Sequence, residues 1–143
     1  MTVIGKPAFR LIEHTADIGL EVRAANREEL FLMAAEGMKA LLFGASPAVG
    51  GVSSRVVLTA GDSAELLVAW LNEILFFCES QQVVPATFVI EEITLTSLAA
   101  VISGETFAPA RHSLERAAKA VTYHRVVVEE RKSGWYARVY IDL

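Results

Sequence analysis

The chain lacks several features that mark particular classes of protein. It has a single cysteine, Cys78, among 143 residues, so an internal disulfide is excluded. No apolar run reaches the roughly 20 residues needed to cross a bilayer. Residues 1–9 lack a basic segment followed by an apolar stretch, which argues against a secretory signal. These absences predict a cytoplasmic protein with a buried, inert thiol, because Cys78 falls in an apolar helical pattern.

Positive charge is also scarce. The chain has 13 Lys and Arg against 17 Asp and Glu, which gives a formal net charge of −4 at pH 7. Only residues 111–119 are densely basic, and they include Glu115. Nucleic acids attract proteins through clustered Lys and Arg, so we expect no direct nucleic-acid binding. Any role with RNA would then run through a protein partner.

Signatures of common enzymes are missing as well. No Gly-rich loop follows the P-loop or dinucleotide pattern, and no serine lies in a nucleophile-elbow context. Glu91 and Glu92 are adjacent on a predicted strand and so point to opposite faces. His112 and His124 stand apart in the sequence, and we assign neither a catalytic role. The sequence therefore shows no complete catalytic constellation, and we predict no catalytic residues.

What the chain does have is enough apolar residues for a sizeable core. Hydrophobic residues make up 53% of the sequence, above the usual range for soluble proteins. A chain of this length and composition suits one domain, and no internal repeat or long linker divides it. We expect a single domain over residues 1–143.

Periodicity predicts a mixed fold. Apolar and polar residues alternate where strands are expected, and helices are expected after Asn26 and Asp62, each followed three positions later by a glutamate. Strands are predicted at 9–12, 18–24, 55–60, 121–130 and 135–143, with two or three more in 87–102 and an irregular loop at 103–110. The order lacks regular βαβ alternation. It predicts an α+β fold, with a largely antiparallel sheet and two main helices packed on one face.

Two of these elements have unlike faces. In the second helix, Trp70, Phe76 and Phe77 are predicted to be core, whereas Asn72 and Glu73 lie on the polar side and are candidates for contact with a partner. The last strand follows a tight hairpin at 132–134. One face of that strand carries Trp135, Ala137, Val139, Ile141 and Leu143, and the other carries Tyr136, Arg138, Tyr140 and Asp142.

The most informative segment is Glu13–Gly19, with the sequence EHTADIG. It places a histidine, two carboxylates and a hydroxyl in a short break before an alternating strand, where side chains are held for chemistry. At the other end of the chain, Asp142 precedes the carboxylate of Leu143. If the two ends meet, three negative groups converge, and their repulsion is large unless a cation lies among them. Oxygen ligands suit calcium or magnesium rather than zinc.

The residues alone leave other interpretations open. Asp17 also suits a turn before a strand, and Asp142 a solvated strand end. His14 suits a metal site or acid–base chemistry, and equally a hydrogen bond within its own loop. Lys119 and Arg116 form either a solvated segment or a basic patch that meets an anionic group on a partner or a nucleotide phosphate.

Three segments together are similar to the archease family. They are Glu13–Gly19, Trp70–Phe76 (WLNEILF) and Lys119–His124 (KAVTYH), and they are followed by a final strand that ends in Asp142. Each segment is short, but their order in a chain of this length extends the resemblance over nearly the whole sequence. Residues 103–110 match nothing diagnostic of the family.

The resemblance implies an accessory protein rather than an enzyme. Members of the family activate the RNA ligase that joins tRNA exon halves, by promoting its guanylylation and its multiple turnover. The resemblance also implies a divalent cation, usually calcium, held by Asp17, Asp142 and Leu143, with magnesium or manganese as alternatives. The family's lysine corresponds to Lys119. Together with His14, this lysine is a candidate contact for the partner or for a nucleotide.

Two other functions compete with this reading. A metal-dependent hydrolase would use Asp17, Asp142 and His14 to activate water, although calcium is a weak Lewis acid and no partner base is evident. A general chaperone would account for the high apolar fraction. Turnover of a phosphoester by the isolated chain would favour the first, and suppression of aggregation of unrelated proteins would favour the second.

Overall fold

The structure, a computed structural model, describes residues 7–13 and 16–143. The described residues form seven strands and two helices. In chain order these are β1 (Ala8–Glu13), β2 (Asp17–Ala24), α1 (Arg27–Phe43), β3 (Val52–Thr59), α2 (Ser63–Gln81), β4 (Val83–Ile93), β5 (Ser97–Thr106), β6 (Ala120–Arg131) and β7 (Gly134–Asp142). No helix in these ranges is long and apolar enough to span a bilayer.

The strands form two antiparallel sheets with the helices between them. One sheet has the order β1-β2-β7-β6 and the other β3-β5-β4. Both helices contact strands of both sheets. The predicted α+β class with antiparallel pairing is confirmed, but the strands divide into two sheets rather than one. The helices are buried on wide faces, and a wide apolar face needs cover from more than one side.

Both helices begin where the sequence predicts. The side chain of Asn26 accepts a hydrogen bond from the Glu29 N–H at 2.8 Å, and Asp62 accepts one from the Glu65 N–H at 2.8 Å. Each glutamate side chain in turn accepts from a backbone N–H just before the cap. Helix α1 ends at Gly44, whose φ of 58° lies in the left-handed region that favours glycine.

Trp70 connects the helices to the smaller sheet. It is fully buried, and its indole Nε1 donates to the carbonyl of Phe31 at 3.0 Å. Its ring meets Phe88 of β4 edge-on, with 6.2 Å between centroids. Phe77 is buried as predicted, but the prediction for Phe76 is wrong, since it is 63% exposed. Adjacent helical residues lie about 100° apart around the axis, so Phe76 turns away from the side that buries Phe77.

The predicted loop at 103–110 is wrong over its first four residues. Residues 103–106 belong to β5, and Gly104 pairs with Val52 of β3 and Pro85 of β4. A Cβ at Gly104 would lie 2.7 Å from the carbonyl oxygen of Val84. Glycine at this position therefore allows a close approach of two strands, a role that local sequence does not distinguish from a loop.

Candidate metal centre

Asp17 and Asp142 lie directly opposite each other in the pairing of β2 with β7. Directly opposed residues in an antiparallel pair project from the same face, with Cβ atoms about 4.5–5.5 Å apart. The neighbouring pair, Ile18 and Ile141, is buried in the core at 2% and 0% exposure. Strand alternation therefore places both aspartates on the outer face, meaning the face of the four-stranded sheet turned away from the helices.

The last residue lies at the same edge. The N–H of Leu143 points to the carbonyl oxygen of Ala16 at 3.5 Å, which is a long contact, and the N–H of Lys119 donates to the carbonyl of Asp142 at 2.8 Å. The strand end is thus flanked by the start of β2 and by the residue that precedes β6. Four of the predicted site residues, Asp17, Asp142, Leu143 and Lys119, are brought together. His14 lies outside the described residues.

The donor set fits a hard divalent cation. Like charges directly opposite on a sheet repel each other. Among the described residues, no Lys or Arg nitrogen forms an ion pair with Asp17 or Asp142. The described ranges hold no group of three or more His, Cys, Asp or Glu side chains that could bind a metal. A cation here would therefore need the carboxylate of Leu143 and water to complete an all-oxygen set, as calcium and magnesium prefer.

Arg116 does not join Lys119 in a free basic patch. Its Nη2 forms an ion pair with Oε1 of Glu13 at 2.9 Å, and its Nη1 points to the carbonyl of Leu41 at 3.3 Å. Arg116 therefore anchors the segment before β6 to β1 and α1. Lys119 is exposed.

Comparison with known proteins shows the family. Residues 9–143 match the model of the Archease protein family (MTH1598/TM1083). The chain belongs to the archease family. It is 36% identical to Protein archease of Methanosarcina mazei, over 94% of this chain and 95% of that one. It is 33% identical to Protein archease of Methanopyrus kandleri, over 92% and 96% of the two chains.

Solved structures of the same fold support this archease-family assignment. The solution structure of Methanobacterium thermoautotrophicum protein 1598 superposes with a TM-score of 0.78 at 28% identity, covering 94% of this chain and 98% of that one. The crystal structure of a Thermotoga maritima protein, described as an archease and possible chaperone, gives a TM-score of 0.63 over 92% and 94%. At 19% identity, the second likeness shows the fold alone.

The archease-family chain also carries a buried network on the outer face that the sequence did not reveal. Glu21, 8% exposed, accepts hydrogen bonds from the hydroxyl of Tyr136 at 2.6 Å and from Nη2 of Arg10 at 2.7 Å. The Tyr136 bond lowers the pKa of Glu21 against the opposing effect of burial, and Arg10 lowers it further. Burial raises the pKa of Tyr136, and the bond to Glu21 adds to the rise. The register of β1, β2 and β7 brings these three residues together. Strand register cannot be read from a local pattern of residues.

Arginines cover both tyrosines of β7. The guanidinium carbons of Arg131 and Arg23 lie 3.7 and 4.9 Å from the ring centroid of Tyr136. That of Arg125 lies 4.4 Å from the ring of Tyr140. These distances lie within the range of cation–π interactions. The alternation of Tyr136, Arg138, Tyr140 and Asp142 along β7 was the sequence signal for this face.

Asn72 has a structural role within the fold. Its Nδ2 donates to the carbonyl of Val121 at 3.0 Å, and its Oδ1 accepts from the N–H of the same residue at 2.9 Å. The side chain thus forms the hydrogen bonds that a neighbouring strand would form, and it links α2 to β6.

The prediction of an inert thiol is confirmed, since Cys78 is buried and burial raises its pKa to about 12.

His112 is also explained by local structure. It is buried, and its Nδ1 accepts the N–H of Ala108 at 2.9 Å. Its ring lies against Phe107, with centroids 5.7 Å apart. The imidazole therefore closes the turn that follows β5.

Proposed function

We propose that this member of the archease family is a non-enzymatic, metal-binding accessory protein of the cytoplasm. It activates an RNA ligase of the tRNA-splicing or RNA-repair type, by promoting guanylylation of the ligase and hence its multiple turnover. It acts through the ligase and not by binding nucleic acid itself. The observation that carries the proposal is the cross-strand pairing of Asp17 with Asp142 beside the chain end.

Three groups would hold the cation. Asp17 and Asp142 supply side-chain oxygens from adjacent strands, and Leu143 supplies its carboxylate. Calcium is the preferred ion, with magnesium and manganese as alternatives. A bound divalent ion supplies a dense positive charge at which anionic groups of a nucleotide or of the ligase bind. The two strands, anchored by the buried pair Ile18 and Ile141, keep the carboxylates at a set separation.

Lys119 and His14 are the proposed contacts around this centre. The backbone N–H of Lys119 is bonded to Asp142, while the residue itself is exposed. Its ammonium group would meet a phosphate or a carboxylate presented by the partner. His14 immediately precedes the segment that leads into Asp17, and we assign it to the same contact.

A multiple-turnover ligation assay tests the proposal. The ligase is held well below the concentration of broken tRNA halves, and product is followed with and without this protein. We expect the wild type to sustain turnover. Asp17→Asn and Asp142→Asn should lower the stimulated rate about tenfold or more, the scale on which changes around a metal affect affinity. Glu92→Gln, an exposed carboxylate on the other sheet, is the matched control.

A chain extended by Gly-Ser after Leu143 tests the third ligand. The extension keeps every side chain but moves the terminal carboxylate away from Asp142, so stimulation should fall as in the aspartate variants. Ligase turnover that is unchanged on adding the wild-type protein would reject the proposal. Suppression of aggregation of unrelated proteins, without any effect on the ligase, would assign a general chaperone role instead.

A further inference from the structure

The described part of the outer face carries two arginines that form no ion pair. Arg10 pairs with Glu21 and Arg131 pairs with Glu129 on this face. Within the described ranges, Arg125 and Arg138 form no ion pair.

Arg138 has a buried N–H group without an acceptor among the described residues. The group is its Nε, which has no hydrogen-bond partner among the residues that the structure describes. A buried cationic N–H without an acceptor is costly in free energy. An enclosed atom cannot be reached from outside the chain, so a ligand would meet the Nη groups of Arg138 and not its Nε. Arg138 lies opposite Glu21 in the pairing of β2 with β7, but within the described ranges the two form no ion pair.

Arg125 is held in place by an unusual backbone. The pairing of β6 with β7 shifts register between Thr122 and Val127, and within this irregularity Arg125 adopts a φ of 60°. That left-handed conformation is unfavourable for a residue with a side chain. The guanidinium carbon of Arg125 lies 4.4 Å from the ring centroid of Tyr140. A guanidinium that contacts an aromatic ring through its face can still donate hydrogen bonds from its edge.

Within the described part of the chain, the two arginines without an ion pair lie close to the two aspartates without one. Arg138, Tyr140 and Asp142 alternate on the outer face of β7, so consecutive members are about 7 Å apart along the strand. Arg125 covers the middle member, and Asp17 lies opposite the last. Over a short distance the face thus changes from a site for anionic oxygens to a site for a cation.

We propose that this outer face binds a polyphosphate, either free or carried by a nucleoside. Phosphate oxygens accept hydrogen bonds from Arg125 and Arg138, and the divalent cation that accompanies the polyphosphate faces Asp17 and Asp142. Guanidinium groups recognise phosphate oxygens through short, charge-assisted hydrogen bonds. An acidic peptide would satisfy the arginines but brings no cation to the aspartates. The cation half rests on the proposed function, whereas the arginine half stands on its own contacts.

Calorimetric titration with sodium tripolyphosphate tests the arginine half in EDTA. Arg125→Gly suits the positive φ, so it removes the guanidinium without adding backbone strain. Arg138→Gln keeps the first three carbons and a polar end but removes the charge and the Nη groups. Each should weaken binding about tenfold, the effect of one lost charge-assisted hydrogen bond. Arg55→Gln is the matched control, because Arg55 pairs with Glu91 on the other sheet. Thermal unfolding of each variant verifies that it is folded.

The cation half is tested by repeating the titration in magnesium chloride. Magnesium should tighten binding to the wild type, and Asp17→Asn should remove this gain. In EDTA the same variant should bind tripolyphosphate no more weakly than the wild type, because it loses a carboxylate that repels phosphate. Equal affinity for ATP, GTP and tripolyphosphate would assign recognition to the phosphates alone. Tighter binding of one nucleotide would assign the nucleoside as well.

Three results would overturn the inference. The first is that the wild type does not bind tripolyphosphate, and the second is that both arginine variants bind it with wild-type affinity. The third is that single-stranded RNA without a terminal phosphate binds more tightly than tripolyphosphate and uses the same arginines. No ligase is present in this experiment. If tripolyphosphate does not bind, the proposed activation of a ligase is unaffected. If the ligase does not respond, a positive titration with tripolyphosphate is likewise unaffected.

Discussion

Glu21 shows at the scale of one residue how tertiary contacts set a charge. The carboxylate is nearly buried, which by itself would favour the protonated form. The hydroxyl of Tyr136 and the guanidinium of Arg10 favour the ionised form and prevail, so the pKa lies below its ordinary value of 4.5. Ionised Glu21 therefore stabilises the fold above that value, and this contribution is lost as the pH falls through the folded-state pKa.

We predict that Glu21→Gln lowers the free energy of unfolding at neutral pH. The loss should be about 1–3 kcal/mol, since hydrogen bonds to a charged group are replaced by bonds to a neutral one. Because the variant no longer has the depressed pKa, its stability should fall less steeply than that of the wild type between about pH 5 and pH 3. Urea unfolding across this range measures both effects.

Glu92→Gln serves as the control for this titration, because Glu92 is exposed. If the stability of Glu21→Gln fell with acid as steeply as that of the wild type, the account of Glu21 would be contradicted.

At alkaline pH the dependence of stability on pH has the opposite direction. The pKa of Tyr136 is raised above 10.0, so its stabilising effect is present below that pH and is lost as the pH rises through the folded-state value.

At the scale of elements, one side chain joins a helix to a strand. Asn72 of α2 forms both of its hydrogen bonds with the main chain of Val121 in β6. Asn72→Ala should leave both backbone groups without these partners and destabilise the protein by about 1–3 kcal/mol. We expect the amide of Val121 to exchange its hydrogen faster, as measured by native-state hydrogen exchange.

Glu79→Ala, at an exposed position of α2, is the control for the loss of a helical side chain. It should change the free energy of unfolding by less than about 0.5 kcal/mol, the usual range for surface positions. If the amide of Val121 exchanged its hydrogen at the wild-type rate in Asn72→Ala, water would replace the Asn72 amide. The two hydrogen bonds between α2 and β6 would then contribute little to stability.

Helix starts were predictable at this scale because capping is local. Asn26 and Asp62 each bond to a residue three positions later, so the whole interaction lies within one turn of sequence. The end of β5 was not predictable, because Gly104 responds to a strand that is distant in sequence. The irregularity around Arg125 depends likewise on the register between β6 and β7.

For the whole molecule, we predict that calcium raises thermal stability. A ligand that binds only the folded state stabilises it by about 2.7 kcal/mol at a free concentration one hundred times its Kd. Relief of the repulsion between Asp17 and Asp142 is one part of that binding free energy and lowers the Kd. Unfolding is followed by calorimetry in EDTA and in calcium, with magnesium and manganese in parallel to rank the ions.

Asp17→Asn and Asp142→Asn should be no less stable than the wild type in EDTA, and they should lose the response to calcium. Glu92→Gln should respond as the wild type does. A calcium shift of the same size in all four proteins would place the ion elsewhere and remove the basis for the metal centre.

The sequence by itself determined the class of fold, both helix starts, most strands and the family, because these depend on periodicity, capping and short motifs within contiguous segments. It also singled out Asp17 and Asp142 as acids at the two ends of the chain. Only the tertiary structure decided that they face each other, that the strands divide into two sheets, and that Arg125 and Arg138 lie beside them without an ion pair to any described residue. Those features depend on strand register and on contacts between distant segments, which no local pattern of residues encodes.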